Sequence, residues 1–224
     1  ELYFEARTYQ TIANFYSERF TTLLEAEDGM TVTQFCLDPS AVICEKLGMA
    51  RAAVLFSATL TPLPYYREVL GGREGDPLIT LPSPFDEKRL LLAAHTGIST
   101  RYADREASYT PVSQALYAAI SHKKGNYMVF FPSYRYMEEV YGRFTAAYPE
   151  VDTRIQQGHM DEEERFAFLS CFDAENEQAL VGFCVLGGIF SEGIDLKGDR
   201  LIGSIVVGVG LPAVSLRQEE IRAY

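Results

Sequence analysis

Five short, largely apolar runs constrain most strongly what this chain of 224 residues can fold into. Each run is typical of a strand that is buried on both faces of a parallel sheet. Segments with apolar residues at helical spacing separate several of these runs, and this alternation predicts an α/β domain with helices on both faces of the sheet. The predicted strands are residues 52–56, 90–94, 127–131, 180–186 and 201–207, with a possible short strand at 153–156.

Three of the predicted helices lie between these strands. Residues 111–122 end in a His-Lys-Lys-Gly signal, which is typical of a helix C-terminus. A second helix buries a stripe that begins at Tyr134 and ends at Phe144. Asp161 and Glu164 have the spacing of a capping box, so a third helix is expected to begin there.

The beginning of the chain has a different pattern. Residues 1–24 are predicted to form a helix, because Ile12, Phe15, Phe20 and Leu23 fall on one face at helical spacing. Residues 31–36 alternate like a strand at the edge of a sheet, and a short helix is expected from about residue 38 to Leu47.

Composition limits the classes of protein that remain. A chain with 47% hydrophobic residues is long enough for one domain with a large core, or for one domain and a fragment of another. The net charge of −11 argues against a free-standing nucleic-acid binder, although a local basic groove is compatible with this total. The four cysteines lack zinc or iron–sulfur spacing, and no signal peptide or membrane span is evident. A cytoplasmic protein with reduced thiols is therefore expected.

Functional groups in a parallel sheet gather at the carboxyl ends of the strands, so the residues that follow each run are the candidates. Ser57 and Thr59 follow the first run with small or hydroxyl-bearing neighbours. Ser133 and Tyr134 follow the third run, where Ser133 can cap a helix whose N-terminus suits a phosphate. Each of these two segments is, by itself, also an ordinary structural turn.

The loop after the fourth run is harder to explain by structure alone. Its glycines at 187, 188 and 193 cost backbone entropy, which suggests a geometric requirement. Ser191, Glu192 and Asp195 add a hydroxyl group and two carboxylates. Such a loop can hold a phosphate or a sugar hydroxyl through backbone N–H groups and carboxylate acceptors.

In their order and spacing, these segments resemble motifs III, IV and V of superfamily 2 helicases of the XPD/DinG type. Val-Leu-Phe-Ser-Ala-Thr-Leu-Thr-Pro (54–62) is similar to motif III, and Val-Phe-Phe-Pro-Ser-Tyr-Arg-Tyr-Met-Glu (129–138) resembles motif IV. The sequence Gly-Gly-Ile-Phe-Ser-Glu-Gly-Ile-Asp-Leu-Lys-Gly-Asp-Arg-Leu-Ile-Gly (187–203) resembles motif V and is the most specific.

The resemblance implies that residues 31–224 are a RecA-like second motor domain, and that residues 1–30 are a helical segment returning from an inserted arch-like region. It implies an ATP-dependent DNA helicase that couples ATP hydrolysis to movement along single-stranded DNA and to unwinding. ATP and Mg²⁺ would be held mainly by a first motor domain of the same parent chain.

The resemblance also assigns roles to residues. Ser57 and Thr59 would couple the nucleotide cleft to DNA, and Ser133, Tyr134 and Ser191 would contact nucleic acid. Glu192 and Asp195 would be the catalytic or coupling carboxylates of motif V. The nucleotide side of the loop would comprise Gly187, Gly188, Gly193 and Asp195. No metal-ligand residues are assigned.

Three departures from the family pattern limit these expectations. The chain contains no Gly-x-x-x-x-Gly-Lys-Ser/Thr phosphate loop and no Asp-Glu-x-His box after an apolar strand. The acidic run at 161–164 opens a helix and is not such a box. Motif VI, which carries arginine fingers, is not reached before Tyr224. The chain alone is therefore not expected to hydrolyse ATP.

Two other interpretations stay open at this point. A RecA-like domain can lose its activity and remain as an interaction domain. An unrelated α/β enzyme would need its own catalytic set, but none of His95, His122 and His159 pairs recognisably with a nucleophile.

Overall fold

The computed structural model describes residues 2–26, 29–211 and 215–224. The chain divides into two compact units, one comprising Glu1–Leu90 with Ala213–Tyr224 and the other comprising Leu91–Pro212. The main boundary between these units lies at Leu90.

The helices and strands are numbered in chain order. The helices are α1 (Leu2–Ala13), α2 (Ser40–Leu47), α3 (Leu63–Val69), α4 (Arg105–Ile120), α5 (Tyr134–Ala147), α6 (Glu162–Ser170) and α7 (Leu216–Ala223). The strands are β1 (Phe20–Glu25), β2 (Thr31–Cys36), β3 (Asn126–Phe131), β4 (Asp152–Ile155), β5 (Leu180–Val185) and β6 (Gly203–Val206). Short 3-10 turns occur at Glu87–Arg89, Tyr102–Asp104 and Gly198–Arg200.

The first unit contains an antiparallel pair in which Phe20 of β1 lies opposite Cys36 of β2. The predicted helix over residues 1–24 is thus confirmed for α1 and wrong for β1. Thr21 and Thr22 favour extended backbone. Pairing with β2 provides hydrogen-bond partners for the backbone N–H and C=O groups of β1. The predicted strand at 31–36 is confirmed.

An ion pair connects the start of β1 with the start of α2. The Arg19 guanidinium donates to the carboxylate of Asp38 and, at 2.6 Å, to the hydroxyl oxygen of Ser40. Desolvation alone would raise the pKa of Asp38, but hydrogen bonds from Ser40 and the charge of Arg19 together lower it below its ordinary value. The ionised carboxylate is therefore the form that the fold favours.

Two of the predicted strands are wrong, because residues 52–56 and 90–94 are not in a sheet. Val54 is 83% exposed, Phe56 is 90% exposed and Leu91 is 90% exposed. A strand that is apolar on both faces needs neighbouring strands and covering helices, and these segments have no ladder partner among the described residues.

The second unit is built on a four-stranded parallel sheet with the strand order β4-β5-β3-β6. Phe131 of β3 aligns with Val185 of β5, and Phe183 of β5 aligns with Ile155 of β4. The parallel α/β sheet predicted from the sequence is therefore confirmed, with four of its predicted strands in place.

Alternate side chains of this sheet enter two different cores. Phe131 and Phe183 belong to the core that contains Val140 and Phe144 of α5, together with residues of α4. The opposite face carries Met128 and Cys184, which pack with Phe168, Phe172 and Phe190. Helices thus cover both faces of the sheet, as predicted, with α4 and α5 on one face and α6 on the other.

The first residues of α4 and α6 can be compared with the helix starts that the sequence predicts. The helix α4 begins at Arg105, earlier than the predicted start at residue 111, since it accommodates an exposed Pro111 in its interior. The capping box of α6 is confirmed: Glu164 N donates to Asp161 Oδ1 at 2.8 Å, and Asp161 N donates to Glu164 Oε2 at 2.9 Å. None of the described helices is long and apolar enough to cross a membrane.

Candidate site at the carboxyl edge of the parallel sheet

The carboxyl edge of the sheet continues the strand ladder into the segments that the sequence analysis singled out. Leu186 N donates to Phe131 O at 2.8 Å, and Val207 N donates to Phe130 O at 2.9 Å. Gln156 N donates to Phe183 O at 2.8 Å. These bonds hold the first residues after β4, β5 and β6 in register, so the groups that follow them are positioned by the sheet.

Ser133 caps the helix α5, as the sequence predicts. Its backbone is extended, with φ at −162°, and its hydroxyl oxygen accepts a hydrogen bond from Tyr136 N at 3.4 Å. The free N–H groups and the positive end of the helix dipole therefore lie beside the end of β3. This environment suits an anionic group such as a phosphate.

Gln156 connects three elements at this edge and is 2% exposed. Its Oε1 atom accepts the backbone N–H of Val185 at 3.0 Å, and its Nε2 atom donates to the hydroxyl oxygen of Tyr134 at 2.9 Å. The amide thus joins the end of β5 to the first residue of α5. The buried polar group is satisfied at both ends, as a buried amide requires.

The loop after β5 begins with a tight turn that depends on glycine. Gly187 has φ at +71°, and a Cβ atom on Gly188 would lie 2.8 Å from Nε2 of Gln156. Ser191 N donates to Gly188 O at 2.9 Å, and the Ser191 hydroxyl group donates to Val185 O at 3.0 Å. The turn therefore folds back onto the end of β5, and the hydroxyl hydrogen of Ser191 is used within it.

The rest of the loop is anchored on the α6 side of the sheet. The buried ring of Phe190 stacks on Phe168, with 4.3 Å between the ring centroids. Gly193 has φ at +70°, and its carbonyl oxygen accepts a hydrogen bond from the Arg165 guanidinium at 3.4 Å. These contacts fix the middle of the loop to α6.

The two carboxylates of the loop are exposed to solvent. Glu192 is exposed, and Asp195 pairs with Lys197 at 3.1 Å between carboxylate and ammonium. The side chains of this pair are 72% and 85% exposed, so the pair is well solvated. Both carboxylates are available to a ligand or to another domain.

A shallow cleft of about 490 Å³ lies on the α6 side and includes Asp195 in its wall. Phe166, Phe172 and Arg200 also line this cleft, whereas Ser133, Tyr134 and Gln156 do not. Arg200 is engaged with carbonyl groups, since it donates to Phe172 O at 2.9 Å. The cleft is therefore separate from the hydrogen-bonded network at the end of β5.

Ser57 and Thr59 lie in the other unit of the chain. Their hydroxyl oxygens are 3.1 Å apart, and Thr59 N donates to the Ser57 hydroxyl oxygen at 3.2 Å. Both residues are exposed. Within the second unit, the fold brings Ser133, Tyr134, Gly187, Gly188 and Ser191 to one edge of the sheet.

Sequence reasoning missed Gln156 and Arg165. The sequence predicts Gln156 as the last residue of a short strand, whereas it lies directly after β4, and this position is the signal that identifies it. Arg165 follows three acidic residues in the first turn of α6, and nothing in this local sequence indicates a contact with the loop after β5.

The described parts of the chain offer few other groups that could form a catalytic or metal-binding site. All four cysteines are free, and burial raises the pKa of Cys184 to about 12, so its thiol is unreactive. Residues 2–26, 29–211 and 215–224 contain no cluster of three His, Cys, Asp or Glu residues that could hold a metal ion. The three histidines are exposed.

Comparison with known proteins places these features in context. Residues 116–224 match the family model of the helicase C-terminal domain. A curated relative, the ATP-dependent DNA helicase CHL1 of Scheffersomyces stipitis, is 26% identical over 220 residues, which cover 89% of this chain and 26% of the relative. The chain thus spans about a quarter of the length of this relative.

A solved structure described as an XPD helicase superposes with a TM-score of 0.63. The superposition covers 97% of this chain and 38% of that structure, at 17% sequence identity. This likeness concerns the fold, which is that of the corresponding part of the XPD helicase.

Proposed function

Because the chain carries a helicase C-terminal domain of the XPD/DinG type, we propose that it is the second motor domain of an ATP-dependent DNA helicase. The parent protein would couple ATP hydrolysis to movement along single-stranded DNA and to unwinding of a duplex. The observation that carries the proposal is the loop after β5, whose turn at Gly187 and Gly188 packs against the end of β5 beside the N-terminus of α5.

The proposed role of this loop follows from its two ends. Its start is held by hydrogen bonds at Val185, next to Tyr134 and the cap of α5. Its far end presents Glu192 and Asp195 to solvent. A loop that is fixed at one end and exposed at the other is suited to connect a nucleic-acid contact with a nucleotide contact on another domain.

ATP and Mg²⁺ would be held mainly by a first motor domain outside this chain. The described residues offer no phosphate-binding lysine loop and no metal-ligand cluster. Gly187, Gly188, Gly193 and Asp195 would form one side of the nucleotide cleft, with Asp195 or Glu192 as the coupling carboxylate. Hydrolysis by this chain alone is accordingly not expected, since the groups that surround the γ-phosphate would come from two domains.

The partner proposed for the first unit is the first motor domain of the same parent chain. Val54 and Phe56 are 83% and 90% exposed in a segment whose sequence is typical of a buried strand. An exposed apolar segment with no ladder partner among the described residues is suited to pair with the edge of another sheet. Ser57 and Thr59 follow this segment directly, so such pairing would bring their hydroxyl groups to the cleft between the motor domains.

Single-stranded DNA is the proposed nucleic-acid partner. Ser133 and Tyr134 at the N-terminus of α5 would contact its phosphates, and Ser191 would support the same path from the loop. The net charge of −11 opposes tight binding by the chain alone. Weak binding that declines steeply with salt is therefore expected.

A salt titration of single-strand binding tests the nucleic-acid part of the proposal. The chain should bind an oligothymidylate at low salt and release it as the salt concentration rises, and Tyr134→Ala should weaken binding. Binding that ignores salt, or no binding even at low salt, would contradict direct DNA contact by this domain. The remaining interpretation would then be an inactive RecA-like interaction domain.

A further inference from the structure

The orientation of the Gln156 amide is fixed by its surroundings. Its Oε1 atom accepts from Val185 N at 3.0 Å, and a backbone N–H can only donate. The Nε2 atom must therefore face Tyr134, and Gln156 is the donor in its 2.9 Å hydrogen bond with the Tyr134 hydroxyl group. A Cβ atom on Gly188 would lie 2.8 Å from the same Nε2 atom, so the turn of the loop packs closely on the amide.

This arrangement determines the role of the Tyr134 hydroxyl group. Because its oxygen accepts a hydrogen bond from Gln156, its hydrogen must point to a different acceptor. In the part of the chain that the structure describes, the Tyr134 hydroxyl group donates to no protein acceptor. Tyr134 is only half-buried and is the first residue of α5 at the edge of the sheet, which is where a ligand that accepts this hydrogen would bind.

The neighbourhood of this donor favours an anion. Tyr134 is the first residue of α5, a helix of 14 residues that is capped by Ser133. The first turn of the helix adds backbone N–H donors and the positive end of its dipole. Phosphate oxygens accept hydrogen bonds and do not donate them, so they complement a hydroxyl group that is constrained to donate.

We propose that Gln156 is a positioning residue, which turns the Tyr134 hydroxyl group outward as a hydrogen-bond donor to a phosphate of single-stranded DNA. This inference rests on the proposed function and deepens it by naming the group that sets the DNA contact. Since the same amide holds Val185 N, the donor and the start of the loop are kept in one arrangement. A change at Gln156 therefore affects DNA contact and coupling together.

The variant Gln156→Glu tests the inference because it keeps the shape of the side chain and reverses one hydrogen bond. The ionised carboxylate that it introduces can still accept from Val185 N, but it can only accept from Tyr134. The tyrosine hydroxyl group then donates to this carboxylate and can no longer donate to a DNA phosphate. The full-length protein with Gln156→Glu should bind oligothymidylate about ten-fold more weakly, and its DNA-stimulated ATP hydrolysis should need correspondingly more DNA.

The matched control is Gln157→Glu, which adds the same charge at the exposed neighbouring position. It should change binding much less than Gln156→Glu. Tyr134→Phe should reproduce the loss without any added charge, and the double variant with Gln156→Glu should be no worse than the single variants. Tyr134→Phe also keeps the inference testable if Gln156→Glu fails to fold.

The pH profile separates positioning from a structural defect. Burial raises the pKa of a carboxyl group, and the protonated carboxyl group of the Gln156→Glu variant could donate to Tyr134 as the amide does. The binding of Gln156→Glu, relative to Gln157→Glu, should recover as the pH falls from about 8 to about 6. A merely structural defect would show no such recovery.

The outcomes distinguish the inference from the function on which it rests. If the full-length protein shows no DNA-stimulated ATP hydrolysis, the proposed function fails. If stimulation is present but Tyr134→Phe and Gln156→Glu bind DNA like the unaltered protein, the inference alone is overturned. Equal weakening by Gln156→Glu and Gln157→Glu also overturns it, because charge would then explain the loss.

Discussion

Phe172 lies over Gly182 so closely that a Cβ atom on Gly182 would be 2.6 Å from the Cζ atom of the phenylalanine ring. Gly182 is in the middle of β5, and Phe172 is fully buried on the α6 side of the sheet. The packing of α6 against the central strands therefore depends on the absence of a side chain at this position.

Gly182→Ala should destabilise the fold by about 1–3 kcal/mol, because the added methyl group forces Phe172 and Phe168 out of place. Thermal or urea unfolding monitored by circular dichroism measures the change. The control is Gly142→Ala on the exposed face of α5, where a Cβ atom meets nothing within 4 Å. It should stabilise the fold by about 0.5–1 kcal/mol. Equal stability of the two variants would contradict the packing described for β5.

Gly188→Ala should impair coupling rather than fold stability alone. Its Cβ atom would lie 2.8 Å from Nε2 of Gln156 and 3.0 Å from the carbonyl oxygen of Val185. We expect reduced DNA stimulation of ATP hydrolysis in the full-length protein, compared with Gly158→Ala, whose Cβ atom meets nothing within 4 Å. An unchanged response in Gly188→Ala would show that the turn tolerates a displaced Gln156.

Cys184 should resist alkylation in the folded protein. With its pKa raised to about 12 by burial, only about one thiol in ten thousand is ionised at pH 8. Mass spectrometry after brief treatment with iodoacetamide should show Cys44 and Cys171 labelled well before Cys184. Unfolding in urea should abolish the difference. Rapid labelling of Cys184 in the native protein would contradict its position in the sheet core.

Residues 52–56 should be protected only in the presence of the first motor domain. Their amides form no ladder in the described structure, and Val54 and Phe56 are exposed. Hydrogen–deuterium exchange should therefore be fast in the present chain and slow in the full-length protein. The amides of β3 serve as an internal reference, since they should be protected in both. Fast exchange of 52–56 in the full-length protein would argue against sheet pairing by this segment.

Elements that are specified by local sequence signals are the ones that the sequence predicts correctly. The capping box at Asp161 and Glu164 is a local signal, and α6 begins where it predicts. The apolar runs of β3 and β5 were also identified, because both strands are buried in a sheet that this chain completes by itself.

The errors share a non-local cause. Helical periodicity predicts a helix for the residues of β1, because pairing with β2 leaves no trace in that periodicity. Residues 52–56 have the sequence of a central strand, but neighbours for them are absent from the described residues. The sequence marks Gln156 only by its position at the end of a predicted strand, since its partners Tyr134 and Val185 are distant in sequence and meet it only in the folded sheet.

The most direct test of the account is ATP hydrolysis by the full-length protein, with and without single-stranded DNA, beside the variant Asp195→Ala. Lys197→Ala removes the exposed partner of Asp195 and serves as the control. We expect strong stimulation by DNA, which is lost in Asp195→Ala and largely kept in Lys197→Ala. If the protein hydrolyses no ATP under any condition, the helicase proposal is contradicted and an inactive interaction domain becomes the better description.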